Sequence, residues 1–227
     1  MEHERFVLSR WIKEEKTGIT CDVNCPVTSE EFLSELPSAL HLRRLSILCN
    51  VDEIREMVTH LGLSYVVWSD LYQSDSEPEL LKFKALCLCH KKSALTFRKI
   101  KNAIKELPFQ VPHILCEVMK GDSVDFKTDP EKWDLVPTDE DIDKMAPLIG
   151  NNSLLFLVEL GMDLEIWATI NYRQMKRDLV QLNRDILDEW KTTFCTVNNM
   201  KPTLRMIAQA YKHIGNDIKV IEHTLFN

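Results

Sequence analysis

Two stretches of this chain repeat each other roughly 100 residues apart, and this restricts the fold more than any other feature. Leu61-Gly62-Leu63 is echoed by Leu160-Gly161-Met162, Trp68 by Trp167 and Leu71 by Ile170. Phe83 pairs with Leu182 and Cys87 with Ile186, all at a spacing of 99. Farther on, Thr96, Arg98, Ile100 and Ala103 pair with Thr203, Arg205, Ile207 and Ala210 at a spacing of 107, as do Val111 and Ile114 with Ile218 and Ile221. One insertion of eight residues accounts for the change of register. A period this long means two copies of a domain, not a solenoid of short units. A chain of 227 residues has room for two domains of about 100.

Each copy reads as all-helical. In the first, helices are expected over Ala39–Leu48, Val51–His60, Val66–Tyr72, Glu79–Cys89, Thr96–Leu107 and Val111–Met119. In the second they are expected over Glu140–Ile149, from Asn152 or Ser153 to Gly161, Leu164–Ile170, Gln174–Phe194, from Thr203 to Gly215 and over Asp217–Phe226. Trp167 and Trp190 are expected to be buried. Six short amphipathic helices close one core, so the fold class is all-α with two antiparallel six-helix bundles. The divisions are an N-terminal amphipathic segment at 1–27, a first bundle at 28–121, a linker at 122–139 and a second bundle at 140–227.

The net charge is −7, and the stretch 122–143 holds all of it, with nine acids against two lysines. Proline and repelling acids favour an extended spacer there. Phe126, Trp133 and Leu135 are odd in a spacer, which leaves docking on a neighbouring domain as the other reading. The Asp139–Asp143 run also fits a protease that cuts after aspartate. In the N-terminal 27 residues, Phe6, Val7, Trp11 and Ile12 lie at helical spacing. That helix packs on the first domain or serves as a partner-binding peptide.

Seven cysteines, an odd number with no signal-like leader before them, read as reduced thiols. Cys21 and Cys25 have no matching pair at zinc spacing, and Cys87 with His90 makes half a metal site. No apolar run approaches the roughly 20 residues of a membrane span, so a cytoplasmic location is expected. No GxSxG, HExxH, GxxxxGK[ST] or GxGxxG occurs, and the histidines are scattered. The expectation is therefore no catalytic residue, no cofactor and no metal.

The second copy resembles the death domain family. LVELGMDLEIWATINYRQMKRDLVQLNRDILDEWKTTF, followed by TLRMIAQAYKHIGNDIKVIE, carries the resemblance. Trp167, Trp190, Thr203 and Ile214-Gly215 occupy the family's places for a helix-three tryptophan, a late helix-four tryptophan, a helix-five opening and the turn before helix six. The first copy matches in Leu61-Gly62-Leu63, Trp68 and Thr96-Phe97-Arg98, but Lys91 falls where the late tryptophan belongs. A death effector domain is the other reading for that copy. The resemblance implies a non-enzymatic adaptor that binds other death-domain proteins (receptors, kinases or caspase adaptors) in apoptosis or innate immunity, with self-association as a further expectation. This step is analogy with a fold family.

Charge marks candidate contact surfaces. From Asn50 to Glu79 the first copy has acids, among them Asp52, Glu53 and Glu56, against the single base Arg55. From Leu80 to Lys105 it has eight bases and no acid, among them Lys82, Lys84, Arg98, Lys99 and Lys101. Opposite charge on different faces allows head-to-tail stacking. In the second copy the candidates are Glu159, Asp163 and Glu165, with Arg173, Lys176 and Arg177. The alternative function is RNA or anionic-surface binding through the basic side, although no aromatic residues are interleaved there for base stacking.

Overall fold

A computed structural model describes residues 27, 29–74, 77–107, 113–120, 124, 126, 130–173, 178–198 and 200–226. Every regular element among them is helical, with no strand. The N-terminal half contains α1 (Glu30–Ser34), α2 (Ala39–Leu48), α3 (Val51–His60), α4 (Tyr65–Ser74), α5 (Pro78–Ser93), α6 (Phe97–Lys105) and α7 (Ile114–Lys120). The C-terminal half contains α8 (Pro130–Trp133), α9 (Asp139–Ile149), α10 (Ser153–Glu159), α11 (Leu164–Arg173), α12 (Leu179–Asn198), α13 (Leu204–His213) and α14 (Ile218–Phe226).

The local chemistry that starts and stops these helices repeats between the halves. Ser38 and Thr138 cap α2 and α9, each in a reciprocal box with the third helical residue, His41 and Asp141. The residue after each of α3 and α10 is a leucine, followed by Gly62 or Gly161 at φ of +91° and +78°. Only glycine takes that conformation without strain, and the turn lets Leu63 and Met162 bond back to the carbonyls of Val58 and Leu157.

Packing repeats as well. In the first half α2 packs on α5 and α7, α3 on α5 and α6, and α4 on α5. In the second half α9 packs on α12 and α14, α10 on α12 and α13, and α11 on α12. Each contact recurs seven elements on. Among the described residues the two halves also meet, α2 lying against α10.

Two departures from the sequence reading follow. The stretch before α9 was expected to be an extended spacer, with docking as the other reading. Trp133 on α8 is 0% exposed, and its ring lies 4.9 Å from both Phe126 and Phe226. Leu204 donates its backbone N–H to the Leu135 carbonyl at 3.0 Å, and Arg205 pairs with Asp134 at 2.7 Å. The Leu135 side chain itself is 58% exposed. The first half has the same arrangement. The Phe97 N–H donates to Glu35 at 3.1 Å, Arg98 pairs with Glu30, and Phe32 stacks on Phe97 at 4.3 Å. Thus α1 and α8 are equivalent opening turns, 100 residues apart, followed by the buried Pro37 and Pro137.

The second departure is the register of the fourth long helix. Leu81, Lys82, Phe83, Ala85, Leu86 and Cys89 are buried in α5, and Leu182, Asn183, Ile186, Leu187 and Trp190 in α12, and apart from Phe83 the two sets correspond one to one. These sets align at a spacing of 101, two residues from the register read in the sequence. Trp190 therefore corresponds to Cys89, not Lys91. Trp167, expected in the core, is half-buried, unlike its counterpart Trp68 on α4, while Ile170 on the same helix is buried.

Candidate interaction surface

The fourteen candidate residues do not form one surface, and three of them are buried. Lys82 is 4% exposed. Its ammonium donates to the Cys49 carbonyl at 2.9 Å, which the end of α2 leaves without a helical partner, and pairs with Glu79 at 2.8 Å. Glu53 is 6% exposed at the third position of α3. It accepts from the Asn50 N–H at 2.7 Å while Asn50 accepts from the Glu53 N–H at 2.9 Å. Burial raises its carboxyl above the ordinary glutamate range, against the opposing pull of that hydrogen bond and of Lys82. These two side chains serve helix ends, not a partner. Periodicity carried a signal for Lys82: positions 82, 85, 86 and 89 form one helical face with Leu81.

The Glu159 side chain is 2% exposed and closes the contact between the halves. Its carboxylate lies 3.0 Å from His213 Nδ1 and 3.6 Å from Arg43 Nε. Arg43, 3% exposed on α2, also reaches Glu79 at 3.0 Å and Ser46 at 3.3 Å. Sequence reasoning missed Arg43, although a charge sandwiched between Leu42 and Leu45 on an amphipathic helix was there to be questioned. A buried ion pair contributes little net stability but is costly to break, so it fixes which faces meet.

The remaining candidates in the first half divide by sign. Asp52 is exposed beside Arg55 at 3.2 Å, and Glu56 is half-buried. Together with Arg55, Thr59, His60 and Tyr65, Glu56 lines a shallow groove between α3 and α4. On α4 the side chains of Tyr65, Val66 and Tyr72 stand 76%, 67% and 62% exposed, an aromatic face beside the acids. On the basic side, Arg98 is held by Glu30. Lys99 donates to the carbonyls of Ser93 and Ala94, where Ala94 ends α5 in the left-handed region at φ +44°. Lys84 and Lys101 are half-buried. A second open groove is lined by His60, Leu61, Ser93, Lys99, Asn102 and Glu106.

In the second half Asp163, Glu165 and Arg173 are exposed on or beside α11, and Lys176 and Arg177 lie outside the described residues. Burial pushes the Cys87 thiol up to about 12 and the Cys89 thiol up to about 11. Among the described residues no group of three metal-ligating side chains converges, and no helix is long and apolar enough to cross a membrane. The exposed candidates are charged residues on or beside helices, with exposed tyrosines on α4. Comparison with protein-family models, curated proteins and solved structures finds no match to this chain.

Proposed function

We propose that this chain is a non-enzymatic signalling adaptor, located in the cytoplasm, built from two death-fold bundles that assemble complexes by binding their own kind. Each bundle is six helices preceded by the short turn helix α1 or α8. The observation that carries the reading is the duplicated packing, the helix contacts of the first half recurring seven elements on. Around it lie the residues of the resemblance: buried Trp190, Thr203 at the start of α13, and the Gly215 turn at φ +94° before α14. Partners are other death-domain proteins of apoptotic or innate immune signalling. Flat, charged helix faces with exposed tyrosines suit such contacts, since tyrosine and arginine dominate interface energetics.

The test is a binding screen of the full chain against a panel of purified death domains and, in parallel, against RNA and anionic vesicles. Salt-sensitive binding to one or more death domains supports the reading. Binding to RNA or vesicles alone overturns it and selects the basic-face alternative.

A further inference from the structure

We infer that a second copy of this chain docks head to tail on the first, the α9 side of its C-terminal half seated on the groove between α3 and α6 of the N-terminal half. The inference rests on the homotypic reading above and names the surface and the partner.

The contact inside the chain has two unlike sides. One is the α2–α5 face of the first half, with Arg43 and Glu79. The other is the end of α10 and α13 in the second half, with Glu159 and His213. Because the packing is duplicated, each half has both kinds of face, and the chain uses one of each. The repeat registers locate the two left over. A spacing of 99 carries Glu159 back to His60, and a spacing of 107 carries His213 back to Glu106. Both residues line the open groove that also holds Lys99 and Asn102. A spacing of 100 carries Arg43 forward to Asp143 on α9, half-exposed and paired with Arg184 at 2.7 Å.

The charges at the free faces are exchanged relative to the internal contact. Inside the chain a cation on the α2 side meets an anion on the α10 side. At the free faces Asp143 on α9 stands in the place of Arg43, among Asp139, Glu140 and Asp141, with Lys144, Lys191 and Arg184 paired to three of these acids, and the groove offers His60 in the place of Glu159 and Lys99 beside the acid Glu106. The exchange also disfavours mispairing, since Asp143 placed against the Glu159 side would meet a like charge. The contact joins two different patches, so it does not close on itself and copies add in a row.

Sedimentation of the full chain across a concentration series tests this, at about 50 mM and about 500 mM salt. The expected result is an average mass that grows past that of a dimer at low salt and falls at high salt. Asp143→Lys and Lys99→Glu should each return the chain to monomer, and the double variant should regain growth. Asn102→Glu repeats the disruption at a groove residue that caps no helix, should Lys99→Glu unfold the end of α5. Growth unchanged by all the single variants overturns the inference, as does a monomer under every condition. If the monomer still binds a death domain in the screen above, the docking surface fails and the adaptor reading stands. If it binds none, both fail.

Discussion

Where the first half buries Lys82, the second buries Asn183, one turn into the same helix and against the same neighbour. Lys82 reaches the last carbonyl of α2, and Asn183 donates to the Ala146 and Gly150 carbonyls at 3.1 Å at the end of α9. Both satisfy carbonyls that a helix end leaves open, one with a charge and one with an amide. Two turns later the difference is in volume: Cys89 lies where Trp190 lies, 2% and 1% exposed. The second half fills its core with an aromatic ring and neutral hydrogen bonds. The first relies on a small thiol and a charge network of Lys82, Glu79 and Arg43 that continues into the contact between the halves. One packing plan therefore tolerates two kinds of interior, and the plan is set by helix contacts, not by any one side chain.

The largest expected effect breaks that comparison at its bulkiest point. Trp190→Ala should lose about 3–5 kcal/mol of unfolding free energy, the usual range for an aromatic-to-alanine change in a core. Cys89→Ala, at the equivalent position, should lose about 1 kcal/mol. Denaturant unfolding followed by circular dichroism measures both. Equal losses would mean that the two positions are not equivalent and that the 101-residue register is wrong. Trp190→Phe refines the result. The Trp190 indole N–H is buried without a hydrogen-bond partner among the described residues, so removing it carries no polar penalty.

Next comes the seam between the halves. Arg43→Met leaves Glu159 buried with only His213 beside it, and breaking a buried pair in this way costs about 3 kcal/mol. Arg43→Met with Glu159→Met removes both charges and should recover most of that loss, giving a large coupling in a double-mutant cycle. A cycle with no coupling would mean that the two halves do not depend on this contact. Independent halves should also unfold in two transitions, so calorimetry of the double variant checks the same point.

Helix positions were legible in the sequence because periodicity reports burial directly. Ala39–Leu48 and Val51–His60 were expected at the bounds the structure gives, and most other ends lie within a few residues. Composition misled at α8. The acids Glu131 and Asp134 describe the exposed side of that turn, whereas its position depends on Trp133 meeting Phe226, a contact made 93 residues away. The same limit applied to the charged candidates. A charge run in sequence reads as a solvated face, but Lys82, Glu53 and Glu159 lie inside because each meets a helix end or an opposite charge from elsewhere in the chain. Arg43 was overlooked for the same reason: its partners Glu79 and Glu159 lie in other helices, one of them in the other half.

The smallest expected effect concerns Glu53, whose counterpart at a spacing of 99 is the neutral Asn152. Burial raises the Glu53 carboxyl above its ordinary value of 4.5, so the folded protein holds this proton more tightly than the unfolded chain does. The contribution to stability is therefore fullest below pH 4.5 and falls as pH rises through the raised folded value. Above that value the cost of the buried charge is complete. Glu53→Gln keeps an acceptor for the Asn50 N–H and removes the charge. At pH 7 the variant should be more stable than the parent by on the order of half a kcal/mol, and near pH 4 the two should coincide. A variant less stable than its parent at pH 7 would mean that the attraction of Lys82 and the α3 N-terminus outweighs desolvation. The acid would then support the first half, and a neutral residue would not serve equally at that position in both halves.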